Sequence, residues 1–180
     1  MLKPENNTPC FFTQQLFLIG TYDDDMEPRY APISWISYTE GEPSCLVISM
    51  YGTKKTKDNI SRTGLLSATV VTPDLLPFAE YCNDATKSMD SPVEVNSSKG
   101  NELEVPLIQN AKFSYECRIL QTVEIGLCHT YFAEIRKINV REDVAQLDFY
   151  DLREINPVIY SPWNYFRVGE HLGKIGDFAK

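Results

Sequence analysis

The sequence lacks the short motifs that would assign a catalytic or nucleotide-binding mechanism directly. It has no GxxxxGK phosphate loop, no GxGxxG dinucleotide fingerprint and no GxSxG nucleophile turn. Cys128 and His129 are adjacent, so on one strand they would point to opposite faces and form no nucleophilic pair. The sequence therefore supports cofactor binding better than catalysis by side chains.

Basic residues and paired cysteines are also scarce. The chain has 17 Lys and Arg against 25 Asp and Glu, and this net charge of -8 repels a phosphodiester backbone, so we expect no nucleic-acid partner. The five cysteines include no CxxC pair, and no His lies at zinc-finger spacing from them. We expect no bound metal and no disulfide framework, but free thiols in a reducing compartment.

Long apolar runs are absent as well. No window approaches ~18 consecutive apolar residues, and the N-terminal segment lacks the continuous apolar stretch of a signal peptide. We therefore expect a cytoplasmic protein without a membrane-spanning segment. The chain has 180 residues, 43% of them apolar and 12% aromatic, which is enough for one packed domain over residues 1–180.

The apolar segments that are present have the length and composition of β-strands. We predict extended segments at residues 15–22, 30–38, 45–51, 65–71, 113–125 and 129–140, with shorter ones at 144–149 and 158–160. Thr56 is expected to cap a helix over residues 57–62 that Gly64 ends, and a second helix is expected over residues 75–83. The pattern predicts a mainly β (α+β) barrel with short helical insertions, and a long loop at residues 84–101.

Residues 52–59 (GTKKTKDN) are the strongest candidate for a binding site, because three lysines and two threonines follow an apolar strand and start a helix. The first turn of a helix has unpaired N–H groups and a partial positive charge, so it suits a phosphate. Lys54 or Lys55 would add a charge, and Thr56 a hydroxyl donor. The alternative interpretation is a capped surface helix with solvated lysines.

Two further segments are candidates for ligand contacts. In residues 32–37 (PISWIS) small hydroxyl residues flank Trp35, although strand alternation would put Ser34 on the opposite side from Trp35. A core tryptophan in a hairpin is the alternative. His129 begins a strand after a glycine turn, where it could donate to a ligand or serve as an acid, and a structural histidine is the alternative.

Together these segments resemble the flavin reductase-like family, and within it the flavoredoxin branch with its FMN-binding split barrel. The matching segments are APISWIS (31–37), CLVISMYGTKKTKDNI (45–60), GLCHTYFAEI (126–135), PVIYSPWNYFRVG (157–169) and GEHLGKIGDF (169–178). They occur in the family's order over nearly the whole chain. The resemblance implies a homodimer with non-covalent FMN at the subunit interface. Electrons would come from NAD(P)H or a protein donor and pass to a small-molecule or protein acceptor.

The resemblance also implies a set of FMN contacts. The matching residues are Pro32, Ser34, Trp35 and Ser37 along the flavin, Ser49 and Met50 near its ring, Lys54, Thr56 and Asn59 at the phosphate or ribityl chain, Lys87 near the flavin or phosphate, and His129 and Phe166 as further FMN contacts. His129 and Phe166 would come from either subunit. The chain departs from the family's DDG-x-PN turn, where it has Met26 and Arg29 instead of Gly and Asn. Arg29 either replaces that Asn contact with a charged one or points away.

Two other functions remain open at this point. A non-catalytic flavin carrier or sensor would have the same phosphate site, and a purely structural β-barrel dimer would bind no ligand. The sequence does not indicate a choice between NADH and NADPH, because it has no GxGxxG segment of the type that accompanies recognition of the cofactor's ribose.

Overall fold

The structure is a computed structural model, and it describes residues 13–83, 94–146, 151–175 and 177. The strands are β1 (Gln14–Gln15), β2 (Phe17–Tyr22), β3 (Pro28–Ile33), β4 (Ile36–Thr39), β5 (Cys45–Tyr51), β6 (Leu65–Val70), β7 (Ser97–Lys99), β8 (Pro106–Ile108), β9 (Phe113–Ile125), β10 (Cys128–Val140), β11 (Val158–Ser161) and β12 (Asn164–Arg167). The helices are α1 (Lys55–Thr63), α2 (Leu76–Asn83), α3 (Glu142–Ala145) and α4 (Leu152–Ile155). The predicted mainly β fold with short helical insertions is confirmed.

Seven strands form the main sheet, in the order β3-β2-β6-β9-β10-β5-β4, and every neighbouring pair is antiparallel. The two edge strands, β3 and β4, are consecutive in the chain and are joined only by Ser34 and Trp35. Ile33 from one edge packs in the same hydrophobic core as Leu46 and Ile48 of β5, which pairs with the other edge. The sheet therefore curls until its edges meet, and the barrel is split where β3 passes into β4.

A smaller sheet, β1-β11-β12, adjoins the barrel and positions the start of the described chain. Gln14 of β1 pairs with Tyr160 of β11. Leu16 follows directly, and its backbone N–H donates to the carbonyl of Val158 at 3.0 Å. Leu16 and Val158 are both buried with Leu18 of β2 in a second core, so β1 leads into the barrel wall.

Most predicted strands form where the apolar patterns indicate them, but three expectations differ. The predicted strand 30–38 is interrupted at Ser34 and Trp35, and its halves lie on opposite edges of the sheet. Helix α3 replaces the start of the strand predicted at residues 144–149, because Val144 packs into the core from a helical turn, and residues 147–150 lie outside the described chain. Within the predicted loop, β7 pairs with β8.

Helix α1 begins at Lys55 with Lys54 as its N-cap, so the prediction that Thr56 is the cap is wrong. The side chain of Thr56 is buried and lies in the first turn. The predicted end is confirmed, since Gly64 has φ 67° and its N–H donates to the carbonyl of Ile60 at 2.8 Å. Ile60 is buried in the main core and anchors the helix.

A buried carboxylate holds the segment that follows β7. Glu116 of β9 is fully buried, and its two oxygens accept from the N–H groups of Asn101, Glu102 and Leu103 at 2.7–2.9 Å. The side-chain amide of Asn139 on β10 donates a fourth hydrogen bond at 2.9 Å. Burial would raise the pKa of Glu116, but these four bonds hold it below its usual 4.5.

No helix of the described chain is long and apolar enough to cross a membrane. Among the described cysteines, Cys45, Cys82, Cys117 and Cys128 are free thiols. Burial raises the pKa of Cys82 to about 12 and raises that of Cys117 further still, so neither is a reactive thiolate at neutral pH.

Candidate functional site

A groove runs along the outer face of β5, beside the split in the barrel. It has two adjoining compartments that share Trp35 and Ser49. The α1 compartment, about 250 Å³, is lined by Pro32, Ile33, Ser34, Trp35, Ser49, Tyr51 and Lys54. The β1 compartment, about 360 Å³, is lined by Gln14, Trp35, Ile36, Ser37, Val47 and Ser49. The segments predicted from PISWIS and from the start of α1 therefore meet at one site.

The break between β3 and β4 forms one wall of the groove. The N–H of Ile36 donates to the carbonyl of Ser34 at 3.0 Å, and the N–H of Ser49 donates to the carbonyl of Trp35 at 2.9 Å. Strand β3 ends at Ile33 and β4 begins at Ile36, so the strand alternation expected for Ser34 and Trp35 does not apply to them. Both residues line the α1 compartment.

Strand β5 forms the floor, and its alternation decides which residues face the groove. Val47, Ser49 and Tyr51 line the compartments. Ser49 is held by a 2.9 Å hydrogen bond between its hydroxyl and that of Thr130 on β10. Met50 is 0% exposed and belongs to the hydrophobic core, so its side chain lies on the wrong face to contact a ligand in the groove.

The start of α1 provides the cationic end of the groove. Lys54 lines the α1 compartment, and the N–H groups of Lys55 and Thr56 have no intrahelical acceptor because they belong to the first turn. The backbone N–H of Lys57 donates to the carbonyl of Lys54 at 2.9 Å. The positive end of the helix therefore lies next to the lysine that opens into the groove.

Lys57 braces this end and was missed by the sequence analysis. Its side chain is buried, and its ammonium donates to the carbonyl of Gly52 and to that of Leu127, both at 2.9 Å. These two bonds tie the segment before α1 to the β9–β10 turn. No local pattern distinguishes Lys57 from Lys54 or Lys55, because its carbonyl partners come from the tertiary fold.

Two residues predicted at the phosphate lie in the interior instead. Thr56 is 4% and Asn59 is 3% exposed, and neither side chain lines the groove. The amide of Asn59 donates to the hydroxyl of Thr21 on β2 at 3.0 Å. Asn59 therefore fixes α1 to the barrel, and Thr56 can face a ligand only through its backbone.

His129 lies on the other face of the sheet within one chain. It pairs across β10 and β5 with Met50, whereas the neighbouring Thr130 pairs with Ser49 on the groove face. Its Nδ1 lies 3.4 Å from the hydroxyl of Tyr131 and 3.8 Å from a carboxylate oxygen of Glu124. This arrangement fits the structural alternative.

Phe166 and Lys87 are not part of the groove described in one chain. Phe166 pairs with Ile159 in the small sheet, is 55% exposed and lines neither compartment. Lys87 lies outside the described residues.

Arg29 points into the turn between β2 and β3. Its Nε donates to Asp23 at 2.7 Å, and the N–H groups of Asp25 and Glu27 donate to the other oxygen of Asp23. The bond from Arg29 is the main cause that lowers the pKa of Asp23. Met26, at the family's Gly position, has φ 61°, a conformation that Gly adopts more easily.

Gln14 is the second groove residue that the sequence analysis missed. It lies on β1 in the β1 compartment, and its Oε1 is buried without a hydrogen-bond partner in the described chain. Buried polar atoms are nearly always paired, so an unpaired one in a groove indicates a place for a ligand. The residue stands just before the predicted strand 15–22, and no pattern in the sequence marks it.

The groove suits FMN by the chemistry of its lining. Lys54 and the first turn of α1 are donors for a phosphate, and Ser34, Ser37 and Ser49 provide hydroxyl groups along the floor and wall. Trp35 provides apolar cover. A groove with apolar cover and a few convergent polar groups is typical of a cofactor-binding site.

The sequence comparison identifies the family. The chain belongs to the family of the Flavin reductase like domain, which matches residues 10–168. No curated protein sequence matches the chain at a significant level. The match to the family over residues 10–168 confirms the predicted family membership.

The fold is similar to those of solved flavoproteins. Flavoredoxin of Desulfovibrio vulgaris (Miyazaki F) aligns with a TM-score of 0.87 and 21% identity, covering 99% of this chain and 100% of its own. Flavoredoxin from Methanosarcina acetivorans aligns at 0.85 and 20%, over 100% and 97% of the two chains. An FMN-binding protein from Thermus thermophilus, solved with bound p-hydroxybenzaldehyde, aligns at 0.78 and 14%, over 97% and 98%. The predicted split-barrel fold is confirmed.

Proposed function

We propose that the protein is an FMN-dependent oxidoreductase of the flavin reductase type. It takes electrons from NAD(P)H or from a protein donor and passes them to a small-molecule or protein acceptor. The observation that carries the proposal is the groove, in which a cationic helix start adjoins a floor of hydroxyl and apolar side chains. Family membership supports the same conclusion.

Lys54 and the N–H groups of Lys55 and Thr56 would hold the FMN phosphate. Ser34 and Ser49 would be next along the groove, and Trp35 would cover the flavin on one side. When bound, FMN would supply the electron-transfer chemistry, while the protein positions it and limits access of water. Lys57 acts indirectly, because it fixes the segment that carries Lys54.

The groove's floor continues as an open sheet face that a second copy of the chain would cover. Ser49, Thr130 and Val123 lie side by side across β5, β10 and β9, and Tyr51 is in the next row with Ile125. Tyr51 and Ile125 are large and well exposed, with Ile125 at 77%. We propose a homodimer formed through this face. The free thiols support its expected place in the cytoplasm.

Sedimentation velocity tests the dimer. Ile125→Asp should give a monomer, because it puts a charge in the proposed interface. Ile138→Asp, an exposed position in the distal half of β10, should leave the dimer intact. A monomeric wild-type protein would contradict the dimer without affecting the groove.

The visible absorption spectrum of freshly purified protein tests flavin binding. A yellow chromophore that is released on denaturation and identified as FMN is the expected result. Colourless protein that also fails to take up added FMN would overturn the proposal. Steady-state oxidation of NADH and NADPH, with and without an added acceptor, then separates an oxidoreductase from a flavin carrier that never turns over.

A matched pair of lysine variants tests the phosphate end. Lys54→Ala should weaken FMN binding by about 10- to 100-fold, because a charge-assisted hydrogen bond contributes roughly 1.5–3 kcal/mol, and it should hardly change riboflavin binding. Lys55→Ala, which removes an equal charge that does not line the groove, should change FMN binding less than about threefold. Equal losses for FMN and riboflavin in Lys54→Ala would remove the phosphate assignment.

A further inference from the structure

The β1 compartment contains a polar side chain that the fold does not use. Gln14 Oε1 is buried and has no hydrogen-bond partner in the described chain, and Gln14 lines the compartment. An amide at this depth is normally paired with protein or with ordered water. The backbone of Gln14 is fixed by its pairing with Tyr160, which keeps the residue at the wall of the compartment.

The other residues that line the compartment limit which ligand groups the Gln14 amide can contact. Trp35, Ile36 and Val47 give flat and apolar walls, and Ser37 and Ser49 add hydroxyl groups. None of the described residues that line the compartment is charged. An anionic ligand would therefore find no cation among these described residues, whereas a neutral aromatic ring would be covered on its faces.

We propose that Gln14 is a specificity-determining residue that pairs with a neutral carboxamide carried on an aromatic ring. A glutamine amide has both a donor and an acceptor, and a ligand carboxamide has the same two groups, so they can form two hydrogen bonds in either orientation. A carboxylate has only acceptors, so it would leave Oε1 unpaired and place a negative charge beside it. The proposal rests on the proposed function only in that the ring would lie next to the flavin of the α1 compartment.

Two sources carry this chemistry, namely a free aromatic amide and the ring of a reduced nicotinamide cofactor. The first arm of the test uses benzamide and benzoate, which differ little in size, with ligand-observed NMR on the full-length protein with and without FMN. The wild type should bind benzamide at least about tenfold more tightly than benzoate. In Gln14→Leu this preference should fall at least about fivefold, and the remainder reflects the uncharged lining that both proteins share.

Gln15→Leu is the matched control, because Gln15 is the neighbouring residue of β1 and does not line the compartment. It should keep the wild-type preference. Gln14→Met serves as a second variant if the leucine variant folds poorly. Equal binding of the two ligands by the wild type, or a preference of undiminished size in both Gln14 variants, would overturn the proposal.

The second arm uses NADH and its reduced 3-acetylpyridine analogue, in which an acetyl group replaces the carboxamide and removes its donor. If the cofactor is the source, the ratio of kcat/KM for NADH to that for the analogue should be about tenfold larger in the wild type and in Gln15→Leu than in Gln14→Leu. If only the benzamide pair responds to Gln14, the ligand is a free aromatic amide. A benzamide preference in protein that binds no FMN would remove the proposed function and leave the role of Gln14 standing.

Discussion

Two regions of the barrel contain buried polar groups, and the regions differ in whether the protein itself satisfies the hydrogen bonds of those groups. Around Glu116 each carboxylate oxygen accepts two hydrogen bonds from the protein. In the groove, the Oε1 of Gln14 has no partner in the described chain, and the first N–H groups of α1 have none within the helix.

The difference shows which polar groups hold the fold and which are available to a ligand. A satisfied buried cluster is strongly destabilised when one member is lost, because its partners remain buried and unpaired. An unsatisfied group already carries that cost, so its removal should not lower stability, and removal of one that lines the groove should change ligand binding. Substitutions in the two regions should therefore separate stability from ligand recognition.

The largest effect on stability is expected for Glu116→Gln. The glutamine amide would face backbone N–H donors, and we expect a loss of about 3 kcal/mol in the free energy of unfolding by urea, with FMN binding unchanged in the folded protein. Glu104→Gln, in an exposed pair with Lys99, should cost less than about 1 kcal/mol. A similar small loss for Glu116→Gln would contradict the comparison.

The lowered pKa of Glu116 predicts that the stability of the protein depends on pH. The folded pKa of Glu116 lies below its usual 4.5, so its contribution to stability is complete above that value and is lost as the pH falls through the folded pKa. Urea unfolding between pH 6 and pH 3 should therefore show a wild-type decline that is smaller in Glu116→Gln. Parallel declines in both proteins would indicate that other carboxylates cause it.

Lys57→Met should have the next largest effect, since Lys57 is a satisfied group at the edge of the groove. Its loss would leave the carbonyls of Gly52 and Leu127 without their donor and cost about 2 kcal/mol in the free energy of unfolding. It should also weaken FMN binding, because the segment that carries Lys54 loses its brace. Lys55→Met is the exposed control, and a stable, fully binding Lys57→Met protein would show that the brace is unimportant.

Thr69 tests the comparison between satisfied and unsatisfied groups away from the ligand site. Its buried hydroxyl is unpaired in the described chain, and it lines neither compartment of the groove. Thr69→Val should raise stability by about 1 kcal/mol without changing flavin binding. Thr21→Val should instead lower stability by a similar amount, because the hydroxyl of Thr21 accepts from Asn59. Thermal unfolding of the two variants measures both signs, and the same sign for both would contradict the argument.

Gln14→Leu should have the smallest effect on stability, less than about 1 kcal/mol, since no hydrogen bond to the described chain is lost. Urea unfolding of the variant beside the wild type measures it. A loss above about 2 kcal/mol would mean that Gln14 belongs to the fold rather than to the ligand site.

The sequence predicts local elements well because their causes are local. β9 occupies the predicted residues 113–125, and Gly64 ends α1, since strand periodicity and a left-handed cap need no distant partner. The closure of the barrel at Ser34 and Trp35 was not predicted, because it depends on how seven strands curl together. A single apolar stretch therefore gave two strands on opposite edges of the sheet.

The site was predicted in the same partial way. Lys54 and the PISWIS segment lie at the groove, as the motifs indicate. Met50 and Asn59 face the interior, because strand phase and helix rotation decide exposure and a motif match does not report them. Gln14, Lys57 and Glu116 have their roles only through partners or spaces that are remote in the chain.

Titration of the flavin-free wild-type protein with FMN and with riboflavin, followed by flavin fluorescence, tests the central claim most directly. We expect one FMN per chain and at least about tenfold weaker binding of riboflavin, because only FMN has the phosphate that Lys54 and the start of α1 would hold. No fluorescence change with either flavin, or equal affinity for the two, would contradict the account.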